Sequence, residues 1–362
     1  MIGLLGSGSW ATAIAKVLLE QEIDRLYWWV REPEIRESLT TEGRNCVYLR
    51  EAEFDPQQLA VSEDINEVLR QCEYVYLVTP TAYIHKALSE ADPALLHKCN
   101  IISAAKGFVP ESNEIVTDYL QHVHHIDENR LAIVSGPTHA EDVVRENLTF
   151  IAAASYNQKL AQTIQSQMQC HYIFATTSDD MRGIQYATAL KNIYAVAAGI
   201  LHGMGGGDNL LAVFASFAVA EMRDCMQALE PKRVHNMRSI EAPFYLGDLL
   251  VTCYSQYSRN RTFGTMIGRG YSVQSALLEM TMVPEGYYAA KSMENVRLLN
   301  NLDLPIANFV YKVLYESAKP DVILRAWQMS FNGTAYKPKP LKHGRLATRK
   351  HRPHKGGFFF LR

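Results

Sequence analysis

Short apolar runs separated by amphipathic stretches fill the first half of the chain. Ile2–Gly6, Arg25–Val30, Tyr74–Val78, Asn100–Ala104, Leu131–Val134 and Thr149–Ala154 read as strands. Helical periodicity falls between several of them, at Ser9–Glu20, Ile65–Gln71 and Ile115–Gln121. Strand–helix alternation predicts a parallel, doubly wound sheet with its ligand site at the carboxyl ends of the strands. From about Asp179 the pattern changes to long apolar-periodic stretches: Met181–Leu201, Asn209–Leu229, Ser272–Met280, Gly286–Leu299 and Pro305–Glu316. The expected architecture is therefore α/β, an N-terminal Rossmann-type doubly wound sheet over 1–179 followed by an all-helical domain over 180–330. Residues 331–362 are a third compositional unit. They carry five Lys, four Arg and no acid.

Composition narrows the class. With 362 residues, 48% of them hydrophobic, the chain is long enough for about two domains with a sizeable core. The net charge of −2 hides an asymmetry, because the body up to residue 330 holds 27 basic against 38 acidic residues while the tail is +9. The tail reads as a disordered, non-catalytic extension. Nucleic-acid binding through it, or packing of Phe358–Leu361 on the protein itself, are the alternatives. Six scattered cysteines include no CxxC pair and no zinc-like spacing, which points to reduced thiols, a cytoplasmic setting and no metal. The opening MIGLLGSGSW is a strand meeting a glycine turn, not a signal peptide. No apolar stretch approaches the ~20 residues of a membrane span.

The glycine turn is the first chemical signal. Gly6-Ser7-Gly8-Ser9-Trp10-Ala11 fits G-x-G-x-x-G/A directly after a strand and at the start of a helix. One glycine permits the tight turn, the next lets backbone approach a pyrophosphate, and the helix N-terminus attracts the anion. A purely structural glycine turn is the bland alternative. At the end of the second strand an acid would favour NAD and an arginine NADP. Arg31 stands there and tilts the expectation toward NADP, with Glu32 immediately after it.

Hydride transfer to or from an alcohol carbon also needs a proton acceptor, and a phosphorylated substrate needs cationic donors. Lys106 follows the strand Asn100–Ala104 at a strand exit, where a solvated loop lysine is the competing reading. Lys191 lies inside an apolar helix. Burial and a second lysine nearby would lower its pKa, while a snorkelling lysine at a helix rim is the alternative. Ser135–Ala140 is a strand exit of small and hydroxyl residues, which a simple turn would also explain. Asp248 precedes the donor-rich Ser258-Arg259-Asn260-Arg261, which a polar capping loop would also explain.

Taken together these segments resemble the NAD(P)-dependent glycerol-3-phosphate dehydrogenase family over roughly 1–330. The pieces that carry the resemblance are GSGSWATAIA at 6–15, KG at 106–107, GPTHAEDV at 136–143, ALKN at 189–192, GDLLVTCYSQYSRNRTFG at 247–264 and PEG at 284–286. The resemblance implies roles at the matching positions. Lys191 is the proton acceptor in alcohol oxidation, with Lys106 and Asp248 beside it as catalytic partners. Lys106, Gly136, Thr138, Lys191, Asp248, Ser258, Arg259 and Asn260 meet the substrate. Gly6, Gly8, Ser9, Trp10, Arg31, Lys106, Ala140, Arg259, Val283 and Glu285 meet the cofactor, NADP or NAD. It further implies a homodimer acting on a phosphorylated small molecule and supplying glycerol 3-phosphate for phospholipid synthesis. Ala11, His139 and Phe217 depart from the family pattern, the last where arginine is common. A related dehydrogenase acting on a carboxylate substrate and a nucleotide-sensing protein on a retired scaffold are the rival readings.

Overall fold

The computed structural model describes residues 1–21, 23–230, 239–280, 282–321 and 324. The basic tail 331–362 lies outside them.

Eight strands form one sheet in the order β10-β9-β8-β5-β4-β1-β2-β3, where β1 is Ile2–Leu5, β2 Leu26–Trp29, β3 Leu59–Ser62, β4 Tyr74–Leu77, β5 Asn100–Ser103, β8 Leu131–Ser135, β9 Thr149–Ala154 and β10 Ile173–Ser178. The short strands β6 (Phe108–Val109) and β7 (Glu114–Ile115) make a separate antiparallel ribbon. Apolar side chains, buried on both faces in β1 and β8, are what a sheet covered by helices on two sides requires. The expected wholly parallel sheet needs one correction: β9 runs antiparallel to β8, so β9 and β10 oppose the other six strands. The connection between β8 and β9 passes through the helix Ala140–Val144. The expected elements end within a residue or two of the observed ones. Strands β3 and β10 carry too weak an apolar pattern to stand out, since Ala60, Val61 and Ser62 are half-buried and Phe174 is exposed.

The second half is built around one helix, Met181–Gly203, in which every residue from Gly183 to Leu201 is buried. An all-round apolar helix must be enclosed by others. Helices Asp208–Leu229, Asp248–Tyr254, Arg259–Gly268, Glu285–Asn300 and Pro305–Tyr315 enclose it. Its entry is fixed by Asp180, whose carboxylate accepts the Gly183 N–H at 3.1 Å and the Tyr245 hydroxyl. The hydrophobic core on one face of the sheet runs on into this helical layer, and a second core fills the other face. Phe217 is half-buried against the first of these cores, so the departure from arginine there is absorbed by packing. Among the described residues no helix is long and apolar enough to cross a membrane.

Candidate active site

Strands β1, β4, β5 and β8 run the same way, so the loops after them share one edge of the sheet. That edge carries the glycine turn after β1, Lys106 after β5 and Gly136–Thr138 after β8. The enclosed helix Met181–Gly203 passes beside it and presents Lys191 and Asn192.

The glycine turn fits a dinucleotide. Gly6 has φ +127, and an added Cβ would meet the backbone of Val78 and Thr79 at about 3.1 Å, so the turn itself requires glycine. A Cβ on Gly8 would meet nothing within 4 Å, so packing does not demand glycine there. The open space is what a ligand pressed against the backbone needs. The helix Ser9–Leu19 that follows has neither a side-chain cap nor an acid in its first turn, leaving its N–H groups free for an anion. Asn45 braces the turn from beneath by donating to the Ser7 carbonyl at 2.8 Å and to Thr12 Oγ1 at 3.0 Å.

Lys191 and Asp248 form a buried ion pair, with side chains 4% and 1% exposed. Asp248 begins the helix Asp248–Tyr254 directly after a π-type turn, Pro243–Gly247, which the Tyr245–Asp180 hydrogen bond ties to the start of the Lys191 helix. Among the described residues, the second carboxylate oxygen of Asp248 is buried without a partner, as are Trp10 Nε1 and His139 Nε2. Buried polar atoms left open in this way are places for a ligand to bond.

Lys106 donates to Thr138 Oγ1 at 3.2 Å, and Thr138 Oγ1 donates on to the Gly136 carbonyl at 3.1 Å. Gly136, at φ +154, lies so close to β9 that a Cβ would be 2.5 Å from the Phe150 carbonyl. The Lys106 ammonium lies over the Trp10 ring. Burial, then the nearby Lys191 charge, pulls its pKa down from 10.5 to about 8, against the attraction of Asp248 and Glu285. His139 is likewise held below the ordinary histidine range by burial and by both lysines. Its ring meets Tyr257 edge-on at 6.0 Å. Burial lifts Glu285 to about 7, opposed by Arg259, Lys106 and Lys191.

Asn192 joins the two halves. Its amide donates to the Lys106 carbonyl at 3.1 Å and lies 3.4 Å from Glu285, while its oxygen accepts from Asn260 at 3.0 Å. Asn260 in turn accepts the Gly286 N–H at 2.8 Å, and Ser258 caps the helix Arg259–Gly268 by accepting the Arg261 N–H at 3.3 Å. The side chains of Ser258 and Asn260, expected at the substrate, are thus engaged with protein. Arg259 points at the Met282 sulfur, 3.0 Å away. Ala140 opens its helix next to His139, and Val283 and Arg31 are exposed at the margins. Asn45 and Asn192 were missed as contributors. Asn45 sends no local signal, but a second amide beside the lysine of an apolar helix is one that could have been weighed.

Comparison with known proteins meets the same halves. The family model described as NAD-dependent glycerol-3-phosphate dehydrogenase N-terminus matches residues 1–161, and that described as its C-terminus matches 180–325. The chain belongs to the NAD-dependent glycerol-3-phosphate dehydrogenase family. A glycerol-3-phosphate dehydrogenase [NAD(P)+] of Staphylococcus haemolyticus is 35% identical over 87% of this chain and 93% of its own length. That of Staphylococcus carnosus is 34% identical over 90% and 96%. The crystal structure of the glycerol-3-phosphate dehydrogenase of Coxiella burnetii shares the fold with a TM-score of 0.80 at 24% identity, covering 90% of this chain and 98% of that one.

Proposed function

We propose that this member of the family interconverts sn-glycerol 3-phosphate and dihydroxyacetone phosphate, with NAD(P) supplying or taking up the hydride. The observation that carries the reading is the buried Lys191–Asp248 pair beside the half-buried Lys106, on the same sheet edge as the glycine turn. As the neutral amine Lys191 takes the hydroxyl proton in oxidation, and as the ammonium paired with Asp248 it returns that proton to the carbonyl oxygen in reduction. Asp248 fixes the direction of that amine, and the enclosed helix around it keeps water from the proton's path. Lys106 adds positive charge where an oxyanion develops. The N-terminal amides of the helix Arg259–Gly268 and the Arg259 guanidinium suit the phosphate dianion. Because the Asn260 side chain is bonded to Asn192 and Gly286, its contribution to phosphate is the backbone N–H. Asn192 keeps the Lys106 loop and the phosphate helix in register.

The same reading carries a homodimer in the cytoplasm that supplies glycerol 3-phosphate for phospholipid synthesis. Purified protein should consume NADH or NADPH when given dihydroxyacetone phosphate and show little turnover with unphosphorylated 2-oxo acids. Turnover of the oxo acids alone, or tight cofactor binding with no turnover of any of them, overturns the reading. Light scattering on the eluting protein tests the dimer.

A further inference from the structure

The choice between the two cofactors is written at the mouth of the glycine turn. Ser7, the residue between the two glycines, donates its hydroxyl to Glu32 Oε2 at 2.6 Å. Asn45 anchors the carbonyl of the same serine at 2.8 Å, and Asn45 is itself held by the Val47 and Tyr48 N–H groups at 3.1 and 2.9 Å. The Glu32 carboxylate is therefore tethered to a braced part of the backbone, and its side chain is about one-third exposed. A dinucleotide held on this turn places its adenosine ribose at the end of β2, where a carboxylate accepts the ribose hydroxyl and repels a 2′-phosphate.

The arginines nearby are already paired with carboxylates. Arg31 is more than half exposed, and its guanidinium faces Glu32 at 3.6 Å. Arg36 is spent on the carbonyls of Val30 and Arg31, at 3.1 and 2.7 Å, and on the Glu63 carboxylate. Arg44 is paired with Glu53 at 2.6 Å. A 2′-phosphate would have to break one of these ion pairs or displace Glu32. A 2′-hydroxyl needs only an acceptor, and one is already in place.

We propose that Glu32, held on the glycine turn by Ser7, selects NAD(H) over NADP(H). This rests on the dehydrogenase reading above and reverses the tilt toward NADP that Arg31 suggests in the sequence. The test measures direct binding and turnover side by side. Titrating NADH and NADPH into the purified chain, followed by quenching of protein fluorescence, should give at least tenfold tighter binding of NADH. The ratio of kcat/KM values for the two cofactors with dihydroxyacetone phosphate should match it. Glu32→Gln should narrow both ratios at least fivefold, mainly through the NADPH Kd and KM, and Ser7→Ala should move them the same way by less. Equal or tighter NADPH binding by the unaltered protein overturns the proposal, as does a Glu32→Gln ratio that does not move. The binding arm reads selectivity even if dihydroxyacetone phosphate is not turned over, so failure of the proposal and failure of the dehydrogenase reading give different results.

Discussion

The ammonium of Lys106 lies 5.3 Å from the centre of the Trp10 ring. Trp10 belongs to the first turn of the helix that follows the glycine turn, and Lys106 follows β5 on the same edge of the sheet. The contact joins the loop after β5 to the glycine turn. It also keeps a partly desolvated cation in place by attraction to the ring face.

That desolvation makes Lys106 a titrating group near neutrality. Its pKa lies at about 8, below the ordinary 10.5, so it is charged below that pH and neutral above it. The value of kcat/KM for dihydroxyacetone phosphate, which reports the free enzyme, should fall as pH rises through about 8. Lys106→Arg keeps the charge at all these pH values and should move that limb upward by a unit or more, at some cost in absolute rate. A limb that stays where it was in the arginine variant assigns it to another group.

The Lys191–Asp248 pair should matter to both chemistry and folding. Lys191→Met removes the proton acceptor, and kcat should drop by about 10²–10⁴. Each single change, Lys191→Met or Asp248→Leu, leaves a buried charge alone and should cost about 3–5 kcal/mol in urea unfolding. The double variant should cost clearly less than the sum of the two. Simple additivity would mean that the pair is not coupled.

The helices Met181–Gly203 and Arg259–Gly268 cross at backbone contact. A Cβ on Gly264 would come to 2.1 Å from the Val196 carbonyl. Gly264→Ala must push the helix Arg259–Gly268 off the Lys191 helix, because the added methyl meets backbone of Val196 and Ile200, which cannot rotate aside. Overpacking of this kind should cost about 3 kcal/mol. The KM for dihydroxyacetone phosphate should rise with it. An unchanged Tm and KM would mean that the crossing is looser than the distances imply.

Glu221 is a buried carboxylate on the helix Asp208–Leu229. It caps the helix Pro305–Tyr315 by accepting the N–H groups of Ile306 and Ala307 at 2.7 and 3.0 Å. Glu221→Ala strands both donors and should cost about 2 kcal/mol by urea titration. Burial raises its pKa from 4.5 to about 7, against the pull of those N–H groups. The folded protein therefore binds more protons here than the unfolded chain across that window, and the contribution of this residue to stability is lost as pH rises from about 4.5 to 7. Glu221→Gln should flatten that part of the stability–pH curve. A slope equal to that of the unaltered protein sinks the assignment.

Much of this was legible along the chain. The glycine turn could be read at Gly6–Ala11 because a strand, a turn and a helix N-terminus are local events set by neighbouring residues. The enclosed helix was legible from its unbroken apolar run, and Lys191 stood out within it as a charge in the wrong company. The reversal at β9 was not legible, since strand direction depends on how a connection packs and not on the strand's own residues. Nor could Lys106 be told from a solvated loop lysine by position alone.

The sequence by itself determined the order of the main strands and helices, the glycine turn and the residue types available for proton transfer, because these follow from local periodicity and side-chain chemistry. Only the tertiary structure decided which of them meet. Lys191 and Asp248 are 57 positions apart and form one ion pair. Asn192 and Lys106 are 86 apart and share a hydrogen bond. Glu32, not Arg31, is the residue drawn onto Ser7. Burial, charge partnership and pKa are properties of surroundings assembled from distant segments, and no local pattern encodes them.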